Sequence, residues 1–286
     1  VKEGYYSWRA GKTWYKITGD LNSGILPLIV INGGPGSSSD YCKPFDDLQE
    51  FLPVIRYDQL DTGKSDHPNN PVNWTFESYL EELMALLEHL KIEKFHLLGH
   101  SWGAMLALEY MRYDESAKPE SLILAACMWD IPAYNKIAQT LLKEISPIAA
   151  IRTKQLEDAG KVNSAEYKAL NQDWSDKHIY RGGEYPKWAQ SPNGLNLAPY
   201  NYMWGPSEFT VNGTMKNWSA RDWMPNIKIP TLVISGEYDE ATPEHSQEAG
   251  KILPNATVRI VKDASHLAHI EQPKEYLGFI REFIGR

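Results

Sequence analysis

The chain has 286 residues, enough for one large α/β domain or a core domain with an inserted subdomain. Its 42% hydrophobic and 23% charged residues suit a globular protein with a real core, and no apolar run reaches the length of a membrane span. The net charge of -8 offers no basic face for nucleic acid and suits a cationic substrate.

The first half alternates apolar runs with helical patterns, as a parallel sheet with crossover helices does. Residues Ile25 to Ile31 (ILPLIVI) read as a buried strand, and Val54 to Tyr57 as a short one. Phe76 to Leu90 carries Leu80, Leu83, Met84 and Leu87 at helical spacing, with Glu81, Glu82 and Glu88 assigned to the other face. A third strand is expected at Phe95 to Leu98, a helix over Ala104 to Met111, and a fourth strand at Ser121 to Ala125. From about Trp129 to Trp223 the strand pattern stops, and helical segments alternate with loops rich in Gly, Pro, Asn and Trp. Six of the ten tryptophans (129, 174, 188, 204, 218, 223) fall there, most of them expected to form a small core of their own. Strands resume at Thr231 to Ser235 and Thr257 to Val261, and a helix over Lys274 to Phe283 closes the chain. The division is therefore a core of residues 1–128 and 224–286 with a helical cap at 129–223.

Cys42 and Cys127 show no metal spacing and make neither a zinc ribbon nor a disulfide scaffold; buried free thiols are expected. The N-terminus is not a signal peptide, and a cytoplasmic location is expected. A leader removed ahead of Val1 would leave no trace and would allow secretion. Four N-x-[ST] triplets, at Asn73, Asn212, Asn217 and Asn255, carry no weight on that question.

The chemistry is concentrated in three loops. Gly99-His100-Ser101-Trp102-Gly103 fits G-x-S-x-G between an apolar strand and a helix, a tight turn that exposes the serine above the carboxyl end of a sheet. A serine hydroxyl needs a base. Asp239 follows one later strand and His266 the next, so the order Ser101, Asp239, His266 gives nucleophile, orienting acid and general base. Glu237 and Glu240 flank the acid. His269 reads as a helix-face histidine, and the His100 side chain should point away from the nucleophile. Asn32-Gly33-Gly34-Pro35-Gly36 follows the first buried strand and offers backbone N–H groups, with that of Trp102, to an oxyanion. Gly63-Lys64-Ser65 is not a phosphate loop, because Asp58 stands where the earlier glycine is required. An unperturbed His266 would give an acid limb near pH 6.5.

Together INGGPGSSSDY, RYDQLDTGKSD, LLGHSWGAMLALEY, PTLVISGEYDEATP, DASHLAHIEQP and, in the cap, WGPSEFTVNGTMKNW make the chain resemble the proline iminopeptidases of the α/β-hydrolases over nearly its whole length. It is similar to the branch that contains the archaeal tricorn-interacting aminopeptidase. The resemblance implies an α/β-hydrolase fold, a mostly parallel central sheet flanked by helices with an inserted helical cap. It assigns the oxyanion donors to Gly34 and Trp102, the substrate's α-ammonium to Glu208 and Glu240, and pocket-lining roles to Tyr200 and Trp204. Two departures stand out: Asn32 replaces the usual His of HGGPG, and Leu60-Asp61 replaces Arg-Gly in DQRGxGxS. The implied activity is a serine aminopeptidase without cofactor or metal, acting through an acyl-enzyme on short peptides with a free amino terminus. The alternative is an amidase or esterase of amino-acid amides, esters or a specialised metabolite. Neither nucleic acid nor membrane is an expected partner, and the oligomeric state is not legible.

Overall fold

The computed structural model describes residues 1–113, 119–191 and 194–285. An eight-stranded sheet in the order β1-β2-β4-β3-β5-β6-β7-β8 forms its centre. The strands are β1 (Lys2–Trp8), β2 (Gly11–Thr18), β3 (Leu28–Ile31), β4 (Val54–Tyr57), β5 (His96–His100), β6 (Ser121–Ala125), β7 (Thr231–Gly236) and β8 (Ala256–Val261). From β4 to β8 all neighbours are parallel, whereas β2 pairs antiparallel with both β1 and β4. Strands β3, β4, β6 and β7 are buried along their whole length, which explains their unbroken apolar runs: both faces of a parallel sheet are covered.

The chain runs from β3 outward to β4, then returns to place β5 on the other side of β3. This reversal opens a crevice at the carboxyl ends of β3 and β5, where ligands of such sheets bind. Helices α1 (Phe76–Leu90) and α2 (Trp102–Tyr113) cover the sheet. Thr75 caps α1 by accepting the Ser78 N–H, and Lys91 ends it in the left-handed conformation at φ 54°.

Between β6 and β7 lie α3 (Ile131–Ile145), α4 (Ala149–Asp158), α5 (Ala165–Trp174) and α6 (Leu197–Met203). The two ends of this insertion are stitched together: the Ile131 N–H donates to Trp218 O at 3.0 Å and the Ala220 N–H to Trp129 O at 2.9 Å. After β7 come α7 (Pro243–Ile252), the short α8 (Ala268–Glu271) and α9 (Pro273–Ile284).

Three expectations need correction. The β1–β2 hairpin was not foreseen. It covers one flank of α1, so Glu82 is fully buried there, accepting from the Thr13 hydroxyl and, at 2.9 Å, from the Leu60 N–H. Burial pushes its carboxyl up to about 8. The cap tryptophans do not form a core of their own: Trp129, Trp174 and Trp204 belong to the same continuous cluster as Trp102 on the core side. His269 is not on a helix surface. It is fully buried, stacked on Phe45 and bonded through Nε2 to Tyr41 O at 3.1 Å. Cys42 and Cys127 are buried free thiols. No described helix is long and apolar enough to cross a membrane.

Candidate active site

Ser101 occupies the turn from β5 into α2 at φ 57°, a left-handed conformation that costs a non-glycine residue about 1–2 kcal/mol. The surrounding backbone enforces it. The Ser101 N–H donates to Ala125 O at the end of β6 (2.9 Å), and Ser101 O accepts from the Ala104 N–H (2.9 Å). A β-carbon at Gly99 would strike the Gly103 carbonyl, and one at Gly103 would strike the Ile31 carbonyl. Both glycines of the motif are therefore required because strand and helix pass at backbone contact. Trp102 opens α2, so its N–H has no acceptor within the helix and is free to face a ligand.

The glycine loop lies against this turn. A β-carbon at Gly33 would sit 2.9 Å from Ser101 Cβ. The Gly33 N–H is committed to the Tyr41 hydroxyl, which also meets His100 Nδ1 at 3.0 Å. Gly34, at φ 120°, lines the cavity beside Ser101. Asn32 holds the loop in shape, donating to Gly33 O (3.1 Å) and Ser37 O (2.7 Å). Gln59 ties loop and elbow together: it donates to Asn32 O (3.0 Å) and accepts from the Trp102 indole (2.9 Å). Asp61 stands at φ 67°, and its carboxylate binds the Trp74 indole (2.8 Å) and the Asn69 N–H (2.7 Å). Both departures in this region thus bring hydrogen bonds of their own.

His266 Nδ1 lies 2.8 Å from Asp239 Oδ1, which also accepts the Ala241 N–H. With Nδ1 donating, Nε2 is left as the basic atom. Asp239 and Glu240 are 1% and 0% exposed, and Glu240 Oε1 is 3.8 Å from His266 Nδ1. Glu237 turns outward and accepts the Asp263 N–H instead. Burial disfavours the imidazolium, but the charges of Asp239, Glu240 and Glu208 outweigh it and push His266 up to about 9. The ring is therefore not the unperturbed imidazole behind the expected limb near 6.5, because the sequence does not reveal that three carboxylates converge on it. His100 Nε2 meets His266 O at 2.9 Å, and burial holds its imidazole well below the usual range.

A cavity of about 500 Å³ runs over these groups, lined by Gly34, Ser101, His266, Tyr200 and Glu208 among others. Glu208 is half-buried in its wall and faces the Tyr200 phenol; burial raises its carboxyl. Glu240 lies deeper, its Oε2 accepting the Trp174 indole N–H at 2.8 Å, and its carboxyl is raised first by burial and then by Glu208. Trp204 does not line this cavity: its indole donates to Ser207 O at 3.1 Å and its ring packs against Tyr134, beneath the turn that presents Glu208.

The cap is fastened to the site at two points that sequence reading missed. A π-helical turn, Ser175–Ile179, receives the N–H groups of His266 (on His178 O, 2.9 Å) and Leu267 (on Ile179 O, 3.0 Å). Asn196, the N-cap of α6, donates its backbone N–H to Gly36 O (2.9 Å) and its side chain to Asp61 O (2.9 Å). No group of three or more His, Cys, Asp or Glu placed to hold a metal occurs among the described residues.

The sequence model described as the alpha/beta hydrolase family matches residues 28–278. A proline iminopeptidase of Heyndrickxia coagulans is 34% identical over 268 residues, 93% of each chain. The chain belongs to the α/β-hydrolase family, among its proline iminopeptidases. Two solved structures extend the likeness over the whole α/β-hydrolase fold. VinJ superposes with a TM-score of 0.93 at 30% identity, covering 99% of this chain and 98% of that one. A proline iminopeptidase of Mycobacterium smegmatis superposes at 0.89 with 29% identity and the same coverage.

Proposed function

We propose that the protein is a serine aminopeptidase that releases an N-terminal residue, proline or another apolar one, from short peptides through an acyl-enzyme. The observation that carries this reading is the single cavity shared by Ser101, His266 and Glu208, with Asp239 bonded to the far side of the imidazole. Ser101 Oγ attacks the first peptide carbonyl while His266 Nε2 takes its proton. Asp239 holds the ring and stabilises the imidazolium. The N–H groups of Gly34 and Trp102 receive the oxyanion; losing one such donor costs roughly a hundredfold or more in rate. The imidazolium then protonates the leaving amine, and water hydrolyses the acyl-enzyme by the reverse sequence. Glu208 and Glu240 accept the α-ammonium, which selects a chain terminus over an internal residue.

The supporting geometry is Glu208 in the cavity wall, which a substrate with a blocked amine leaves without an ammonium partner, with Glu240 deeper and holding the Trp174 indole. Hydrolysis of aminoacyl anilides, free and N-acetylated, by wild type and Ser101→Ala tests it. Turnover of the free amines alone, lost in Ser101→Ala, is expected. Equal turnover of the N-acetylated set would overturn the ammonium site, and turnover of simple esters without anilides would move the protein to an esterase.

A further inference from the structure

Four ionisable groups share one corner of the site. His266 Nδ1 faces Asp239 Oδ1 at 2.8 Å and Glu240 Oε1 at 3.8 Å, while Glu208 acts on the same ring from the cap. Glu240 Oε2 is satisfied by Trp174, but its buried Oε1 has no hydrogen-bond partner among the described residues. An acceptor aimed at the base and left unpaired is unusual in a folded interior.

Among the described residues, no neighbouring side chain in contact with this corner supplies a positive charge. His100 on the elbow, His269 on α8 and His178 on the π-turn surround His266, and burial holds all three imidazoles below the usual range. Tyr134 on α3, Tyr200 on α6 and Tyr276 on α9 are phenols kept neutral by burial. Glu271 on α8 binds Ser265, and Lys177 acts on His178. The positive charge these residues can supply is a proton, on His266 or on Glu240, whose own carboxyl is pushed up to about 8.

We propose that the substrate's own α-ammonium switches on the general base: seated between Glu208 and Glu240, it takes over the charge-balancing role that a proton on His266 fills in the empty site, and that proton leaves to solvent. The inference rests on the aminopeptidase reading and deepens it. Glu240 is then the group that connects recognition to chemistry. Its Oε1 gains the ammonium as partner and stops stabilising the imidazolium, which frees Nε2 to accept the Ser101 proton. A blocked or absent amine costs turnover as well as binding, because the acyl group then reaches a site whose base is still protonated.

The test uses a probe that carries no amine. Phenylmethanesulfonyl fluoride sulfonylates Ser101 with loss of fluoride, the hydroxyl proton passing to His266, so its rate reports the free base. Inactivation is measured across pH with methylammonium chloride or, at equal ionic strength, sodium chloride. In sodium chloride the acid limb should lie well above the ordinary histidine value of about 6.5. Saturating methylammonium should lower it by about one unit or more and speed inactivation at pH 7 by about tenfold, as expected when one charge is offset within hydrogen-bond reach. Glu240→Gln should lower the limb without any amine and abolish the methylammonium effect, and Glu208→Gln, at the cavity wall, should do so in part. A limb that methylammonium leaves in place, in enzyme that turns over free-amine anilides, overturns the switch. Failure to turn over any free-amine anilide overturns the aminopeptidase reading instead.

Discussion

The elbow and the glycine loop are fixed by backbone meeting backbone, whereas the opposite wall of the cavity adds side-chain grips to its backbone bonds. On the core side, Gly33, Gly99 and Gly103 are glycines because any β-carbon would collide with a neighbouring main chain or with Ser101 itself. On the cap side, Trp174 and Asn196 reach across to hold Glu240 and the Asp61 loop, and Trp204 holds the turn before Glu208 within the cap. Backbone collisions cannot relax, so the core half tolerates little change. Side-chain grips can be traded for others, so the cap half can drift in sequence while keeping its position.

That contrast predicts unequal damage. Gly103→Ala should be the most severe change, because the new methyl meets the carbonyls of Ile31 and Asn32, both part of the sheet-to-loop junction. A loss of roughly 3–5 kcal/mol in stability is expected, with activity lost in parallel. Thermal unfolding and anilide turnover measured together check it, and a stable, active variant would break the backbone half of the comparison. Asn196→Ala should be milder. It keeps the N–H to Gly36 O but loses the bonds to Asp61 O and Asn69 Oδ1 and the N-cap of α6. About 1 kcal/mol of stability and a few-fold rise in KM, with kcat little changed, should follow. A fall in kcat matching that of Gly103→Ala would show that the grip is as rigid as the elbow.

The smallest effect concerns pH. Glu82 has an unfolded value of 4.5 and is held protonated in the fold up to about 8. Its contribution to stability is fully present below 4.5 and declines as pH rises through about 8, because the unfolded chain gives up the proton first. Glu82→Gln should flatten that decline. Urea midpoints at pH 5.5 and 8 compare the slopes, and identical slopes in wild type and variant would sink the assignment.

The same contrast explains what could be read from the chain. The elbow, its two glycines and the strands β4 and β6 were legible because collision rules and burial on both faces write themselves into local sequence. The β1–β2 hairpin was not, since KEGYYSW and GKTWYKIT contain no apolar run and set aromatics side by side (Tyr5-Tyr6, Trp14-Tyr15) where a strand signal would alternate. With it went the burial of Glu82, which depends on a partner far away in the chain. Tyr200 and Trp204 are four residues apart, a spacing that shares a face only inside a helix. Trp204 lies just past the end of α6 with ψ -77°, and its ring turns into the core. The charge on His266 was hidden for a different reason: Glu208, Asp239 and Glu240 come from two distant segments, and only the fold sums their fields on one ring.

The paired bonds from His266 and Leu267 to the π-turn carry a lesson for protein engineering. The cap turn and the His266 loop form one mechanical part. A chimera that exchanges residues 129–223 as a module replaces the two carbonyls on which the His266 loop rests. Recombination for new specificity therefore has to carry the 175–179 turn and the 264–267 loop together, from a single parent.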